Sequence, residues 1–134
     1  MTDLVFFYGT LMSGFRRPGR ERLDPKLRPQ GRGWIHAALF DLGIYPAAIP
    51  AADTRVWGEV YRMTEPDVVL EELDDIEGYR ASEPDASLYT RVLAPVTLDE
   101  GDVAPAWVYF YNAPLGRAPR IESGDYFRHL NVKR

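Results

Sequence analysis

Thr64-Glu65-Pro66-Asp67-Val68-Val69-Leu70-Glu71-Glu72-Leu73-Asp74-Asp75-Ile76-Glu77-Gly78 carries a clear helical periodicity in a chain otherwise rich in strand-like runs. The spacing predicts a helix over Pro66 to Ile76. Thr64 is placed to cap it with Asp67 three residues on, Pro66 fits the first turn, and Gly78 is a natural stop. At about 100° per residue, Val69, Leu70, Leu73 and Ile76 form one apolar stripe, and Glu71, Glu72, Asp74 and Asp75 occupy the remaining arc. Glu77 lies four residues after Leu73 and seven after Leu70. If the last turn stays helical, its carboxylate leaves from the middle of the stripe and loses water, which raises its pKa toward neutrality. If the turn frays before Gly78, Glu77 is a surface cap or salt-bridge partner.

On either side of this helix the chain reads as strands. Leu4-Val5-Phe6-Phe7-Tyr8 is a continuous apolar run without alternation, the pattern of a strand buried on both faces, and Gly9 permits a sharp exit. Trp34 to Leu42 and Arg55 to Met63 have strand character, and Tyr45 to Pro50 between them reads as a loop because of its two prolines. Leu88 to Leu98, the turn Asp99-Glu100-Gly101-Asp102 and Ala106 to Tyr111 read as an antiparallel hairpin. Asn112 to Arg120 is irregular, and Ser123 is the expected cap of a last short helix through Leu130. Mostly strands with one central helix is an α+β pattern whose sheet can curl into a barrel, and no repeat or boundary divides residues 1–134 into more than one domain.

The 134 residues carry 16 basic and 20 acidic side chains, a net charge of −4. That balance argues against a chain built to coat nucleic acid or an anionic membrane. Arg16 to Arg32 is locally basic, with seven Arg or Lys against Glu21 and Asp24, and reads as a solvated loop or short helix. Trp34 to Ala52 is interrupted by His36, Asp41, Pro46 and Pro50, so it is no spanning helix, and the first residues lack the layout of a secretory signal. A cytoplasmic location is the expectation. There is no cysteine, which removes disulfides, thiolate nucleophiles and the usual structural zinc sites.

His36 and His129 have no partner at metal-ligand spacing, no G-x-S-x-G occurs, and no Walker loop or G-x-G-x-x-G is present. No metal or cofactor is therefore expected, and what remains is carboxylate acid/base chemistry or binding alone. Two further constellations attract notice. In Tyr89-Thr90-Arg91, alternation puts Tyr89 and Arg91 on one face, either to pin an anion or as an arginine packed over a ring. In Tyr8-Gly9-Thr10-Leu11, a buried strand ends in a glycine turn whose backbone N–H groups can cradle a carboxylate or oxyanion.

Taken in order, Tyr8-Gly9-Thr10-Leu11-Met12-Ser13-Gly14, Trp57-Gly58-Glu59-Val60-Tyr61, Leu73-Asp74-Asp75-Ile76-Glu77-Gly78-Tyr79 and Tyr89-Thr90-Arg91 resemble the γ-glutamylcyclotransferase-like family, in particular its short branch that includes γ-glutamylamine cyclotransferases. The likeness runs from Val5 to about Tyr111, and Ser123-Gly124-Asp125-Tyr126 is similar to the family's ending. The resemblance implies a small mixed β-barrel flanked by helices, with a cavity where the first turn meets the end of the acid-bearing helix. It implies a cofactor-free reaction in which a γ-glutamyl amine or peptide closes to 5-oxoproline and releases the amine. Matched position by position, Glu77 falls on the family's catalytic glutamate, and Tyr8, Gly9, Thr10 and Leu11 on its substrate-holding loop. Tyr89 and Arg91 are added as candidate substrate-binding residues. Residues 80–87 make a longer loop after the acid and are expected to border the pocket. The alternative to an enzyme is a non-catalytic module that binds a small molecule in the same cavity.

Overall fold

The computed structural model describes residues 2–132. Five strands close into a barrel in the order β1-β3-β2-β4-β5: β1 Leu4–Phe7, β2 Leu27–Asp41, β3 Pro46–Met63, β4 Tyr89–Leu98 and β5 Val103–Tyr111. Helix α1 (Arg20–Leu23) lies between β1 and β2, α2 (Pro66–Glu77) between β3 and β4, and α3 (Tyr126–Val132) follows β5. β1 runs antiparallel to β3 and parallel to β5, where Val5 pairs with Trp107. The expected α+β barrel is the fold observed. Val5, Phe6 and Phe7 are buried as their unbroken apolar run demands, since β1 has a strand on each side and side chains packed on both faces.

Four expectations about elements need correction. Tyr45 to Pro50 is mostly strand, with Asp41 to Ala37 paired against Pro46 to Pro50. The prolines are tolerated because they share a parity whose polar groups face away from β2: the Ala48 N–H points to the Tyr8 hydroxyl (3.3 Å) and the Pro46 carbonyl to the Tyr89 hydroxyl (3.0 Å). Within the basic segment, residues from Leu27 onward already belong to β2. Ser123 does not cap α3; Asp125 does, accepting the Arg128 N–H at 3.1 Å. Likewise Thr64 does not cap α2. Glu65 is the N-cap, without a side-chain bond, and the Thr64 amide and hydroxyl instead face the Lys26 carbonyl.

The end of α2 matters most. Gly78 adopts a left-handed φ of 71°, its N–H is donated to Asp75 O (3.3 Å), and the Tyr79 N–H is donated to Asp74 O (2.8 Å). This is the paired-bond arrangement of a Schellman motif, and it keeps the last turn helical through Glu77. Val69, Leu70 and Leu73 are buried and Ile76 packs against the core, so Glu77 stays on the stripe.

Candidate active site

Glu77 opens into a narrow cavity of about 30 Å³ at one end of the barrel. Three elements build it. The turn after β1 contributes Tyr8, Gly9, Thr10 and Leu11; the hairpin between β2 and β3 contributes Tyr45 and Pro46; and the sheet contributes Tyr89 and Tyr109. Met12 N–H closes the first turn onto Gly9 O (3.0 Å), while the Thr10 and Leu11 amides donate to no described residue. Gly9 is required by space rather than by backbone angle: a Cβ there would stand 2.8 Å from Pro46 Cγ. A larger side chain would push Pro46 out of the wall.

The tyrosine rings form the walls, and their hydroxyls are already engaged. Tyr8 donates to Tyr109 O (2.7 Å), Tyr89 to Pro46 O (3.0 Å), and Tyr109 to Asp74 Oδ1 (2.6 Å). Burial, together with the nearby Glu77 charge, pushes the pKa of all three hydroxyls up, so they stay neutral. No hydrogen bond or ion pair joins the Glu77 carboxylate to any described residue. Loss of water raises its pKa to about 7, with Arg17 pulling in the opposite direction. A carboxyl group that exchanges protons near neutrality therefore faces a loop with free amides, across a space walled by aromatic rings.

Among the predicted site residues, Tyr8, Gly9, Thr10, Leu11, Glu77 and Tyr89 come together around this cavity. Arg91 lies elsewhere. It pairs with Asp74 (2.8 and 3.2 Å) and lies over the Trp107 ring at 4.6 Å. Asp74, expected on the solvated arc, is instead the partner that draws Arg91 away. Residues 80–87 do not border the cavity, because the Ser87 hydroxyl ties their ends together through Arg80 and Glu83.

The sequence matches the family described as gamma-glutamyl cyclotransferase, AIG2-like, over residues 5–128. The chain belongs to that family. A relative from Methanocaldococcus jannaschii is 31% identical over 125 residues, which is 92% of this chain and 95% of that one. Among solved structures, an AIG2-like protein from Mus musculus superposes with a TM-score of 0.68 at 28% identity, over 92% of this chain and 88% of its own. YkqA from Bacillus subtilis gives a TM-score of 0.74 at 24% identity; it matches 99% of this chain, which spans 42% of YkqA.

Within this γ-glutamyl cyclotransferase, AIG2-like barrel, sequence inspection missed Arg17, Tyr45, Pro46 and Tyr109 as cavity residues. Tyr109 carried a visible signal, since it alternates with Trp107 and Tyr111 on β5. Arg17 carried none, because it sits in a run of arginines with nothing to single it out. Among the described residues no cluster of His, Asp and Glu could hold a metal ion, and no helix is long and apolar enough to cross a membrane.

Proposed function

We propose that this protein is a cyclotransferase that converts a γ-glutamyl amine or γ-glutamyl peptide to 5-oxoproline and the free amine, with Glu77 as general acid and base. The observation that carries this reading is the unpartnered, partly desolvated Glu77 facing the Tyr8–Leu11 turn across one cavity. A γ-glutamyl group presents an α-ammonium that cannot attack until it loses a proton. Glu77 in its carboxylate form takes that proton, and the freed amine adds to the γ-carbonyl carbon of the same molecule. The carbonyl π electrons move onto oxygen, and that oxyanion fits the undonated Thr10 and Leu11 amides. The oxyanion then collapses: the bond to the leaving nitrogen breaks as Glu77 gives that nitrogen its proton, the ring nitrogen gives up its second proton, and the amine carries that proton away as an ammonium, which leaves a neutral lactam and Glu77 again a carboxylate. Atoms and charge balance without a redox partner.

The tyrosine walls suit this chemistry because they restrict the substrate's shape without competing for its protons. Ring closure needs the chain folded back on itself, and a small rigid cavity lowers the entropic cost of holding that conformer. The test is to incubate the protein with a panel of γ-glutamyl amines and dipeptides and to measure 5-oxoproline by mass spectrometry. Formation of 5-oxoproline from any member, abolished in Glu77→Gln, supports the reading. Binding of panel members without turnover identifies the cavity as a binding module instead.

A further inference from the structure

Arg17 is a cation without an ion-pair partner at the mouth of the cavity, although its charge acts on Glu77 from beyond ion-pair distance. Its guanidinium Nη1 donates to the Thr10 hydroxyl (2.7 Å), Nη2 lies 3.5 Å from the Ile76 carbonyl at the end of α2, and the group sits over the Tyr45 ring at 5.8 Å. None of these partners is an anion. The other arginines held in comparably enclosed positions are neutralised, Arg20 by Asp24 and Arg91 by Asp74. Among the described residues no carboxylate lies within ion-pair distance of Arg17. Partly buried charges are normally paired, so an unneutralised one facing a cavity marks the place where an anion binds.

The chain holds Arg17 there deliberately. Gly14 (φ 91°), Arg16 (φ 54°) and Gly19 (φ 94°) are all left-handed, and Arg16 is the one non-glycine among the described residues with positive φ. These bends turn the loop back over the barrel end, so that Arg16 is exposed while Arg17 faces inward. Arg20 fastens the loop: its amide donates to Arg17 O (3.0 Å) and its Nε to Leu11 O (2.9 Å), tying the arginine loop to the first turn. α2 has no basic residue in its own last turn. Arg17 supplies the positive charge that a helix C-terminus favours, which helps keep the guanidinium in place.

We infer that Arg17 is the receptor for the α-carboxylate of the substrate, so that Glu77 and Arg17 together read the two charges of an amino-acid end. This rests on the cyclotransferase reading above. The α-ammonium and α-carboxylate of a γ-glutamyl group leave the same carbon, and the cavity offers an acid for one and a cation for the other. A guanidinium has five N–H donors, and two of its nitrogens are engaged, which leaves donors for a planar carboxylate. The leaving amine is then held by shape alone.

Binding and turnover are measured separately on the full chain. 5-Oxoproline retains the former α-carboxylate, whereas 2-pyrrolidinone is the same ring without it. Titration of the wild type followed by NMR is expected to show tighter binding of 5-oxoproline than of 2-pyrrolidinone, and Arg17→Met is expected to lose about 10- to 100-fold for 5-oxoproline alone. Arg17→Lys, which retains the charge, should recover part of that loss. Thr10→Val, which leaves the charge but removes its tether, should lose less than Arg17→Met and gives a second measurement should Arg17→Met fail to fold. Equal affinity of the wild type for the two rings, or an unchanged preference in folded Arg17→Met, overturns the assignment. A third arm compares γ-glutamylglycine with γ-glutamyl methylamide. A KM penalty in Arg17→Met confined to the glycine substrate, with 5-oxoproline binding intact, also overturns it and transfers Arg17 to the leaving group. Arginine-dependent 5-oxoproline binding without turnover of any substrate would refute the proposed reaction and leave the carboxylate receptor standing.

Discussion

Asp74 and Glu77 lie one helical turn apart on α2 and meet opposite fates. Asp74 accepts hydrogen bonds from Arg91 and from the Tyr109 hydroxyl, so its charge is compensated and it fastens the helix to the barrel. Glu77 has no such partner and faces a cavity that restricts water, so burial acts on its charge with only Arg17 opposing. The difference teaches that a carboxylate becomes available for proton transfer by being left without donors. A sequence of alternating acids cannot display this, because the donors come from strands 17 and 35 positions further on.

The sharpest way to break this comparison is to neutralise each acid in turn. Glu77→Gln should reduce kcat about 100- to 10,000-fold, the range of a general acid/base, while circular dichroism and melting show an intact fold. A kcat within a factor of two of wild type in a steady-state assay would end the proposed role. A pH profile sharpens the same point. Because the base must be ionised and its pKa is raised to about 7, kcat/KM should fall as pH drops through that value, well above the ordinary glutamate range. Arg17→Met should move this limb to higher pH, since Arg17 favours the charged form, whereas Arg91→Met should leave it in place. Stability follows the same shift. Between 4.5 and about 7 the native state holds a proton that the unfolded chain has released. The wild type should therefore lose on the order of 2 kcal/mol relative to Glu77→Gln as pH rises through that window, read from urea melts.

Asp74→Asn should show the opposite profile. Removing one partner leaves Arg91 half-buried and unpaired beside Trp107, at a cost of about 2 kcal/mol in urea unfolding, with kcat changed far less than in Glu77→Gln. If this variant instead lost turnover at full stability, the roles of the two acids would have to be exchanged. Asp75→Asn is the smallest expected change. Its side chain is exposed on the same turn, and both its stability and its kcat should stay close to wild type, within about 0.5 kcal/mol.

The features legible in sequence were those governed by local pattern. The run Leu4 to Tyr8, the stripe of α2, the Gly78 stop and the β4-β5 hairpin each follow from periodicity or turn chemistry within a few residues, and together they make the barrel and the projection of Glu77 legible. What escaped depends on contacts distant in the chain. Pro46 to Pro50 joins β3 because tyrosines from β4 and from the end of β1 satisfy the groups that face away from β2. Arg91 shares a face with Tyr89 as alternation requires, yet Asp74 holds it outside the cavity. Arg17 enters the cavity through left-handed bends at Gly14, Arg16 and Gly19, and the conformation of a loop residue such as Arg16 is not written in its identity.

The closure of β1 against β5 has a consequence for how this protein is made. The Tyr8 hydroxyl is held by the carbonyl of Tyr109, 101 positions later, and the strand that opens the barrel has its parallel neighbour only in β5. During synthesis the turn that cradles the proposed substrate therefore emerges early and waits for nearly the whole chain before its wall exists. Such distant pairing slows folding and leaves an apolar strand unsheltered on the nascent chain. The order of synthesis thus leaves the cavity open until β5 emerges, and makes β5 the strand that completes it.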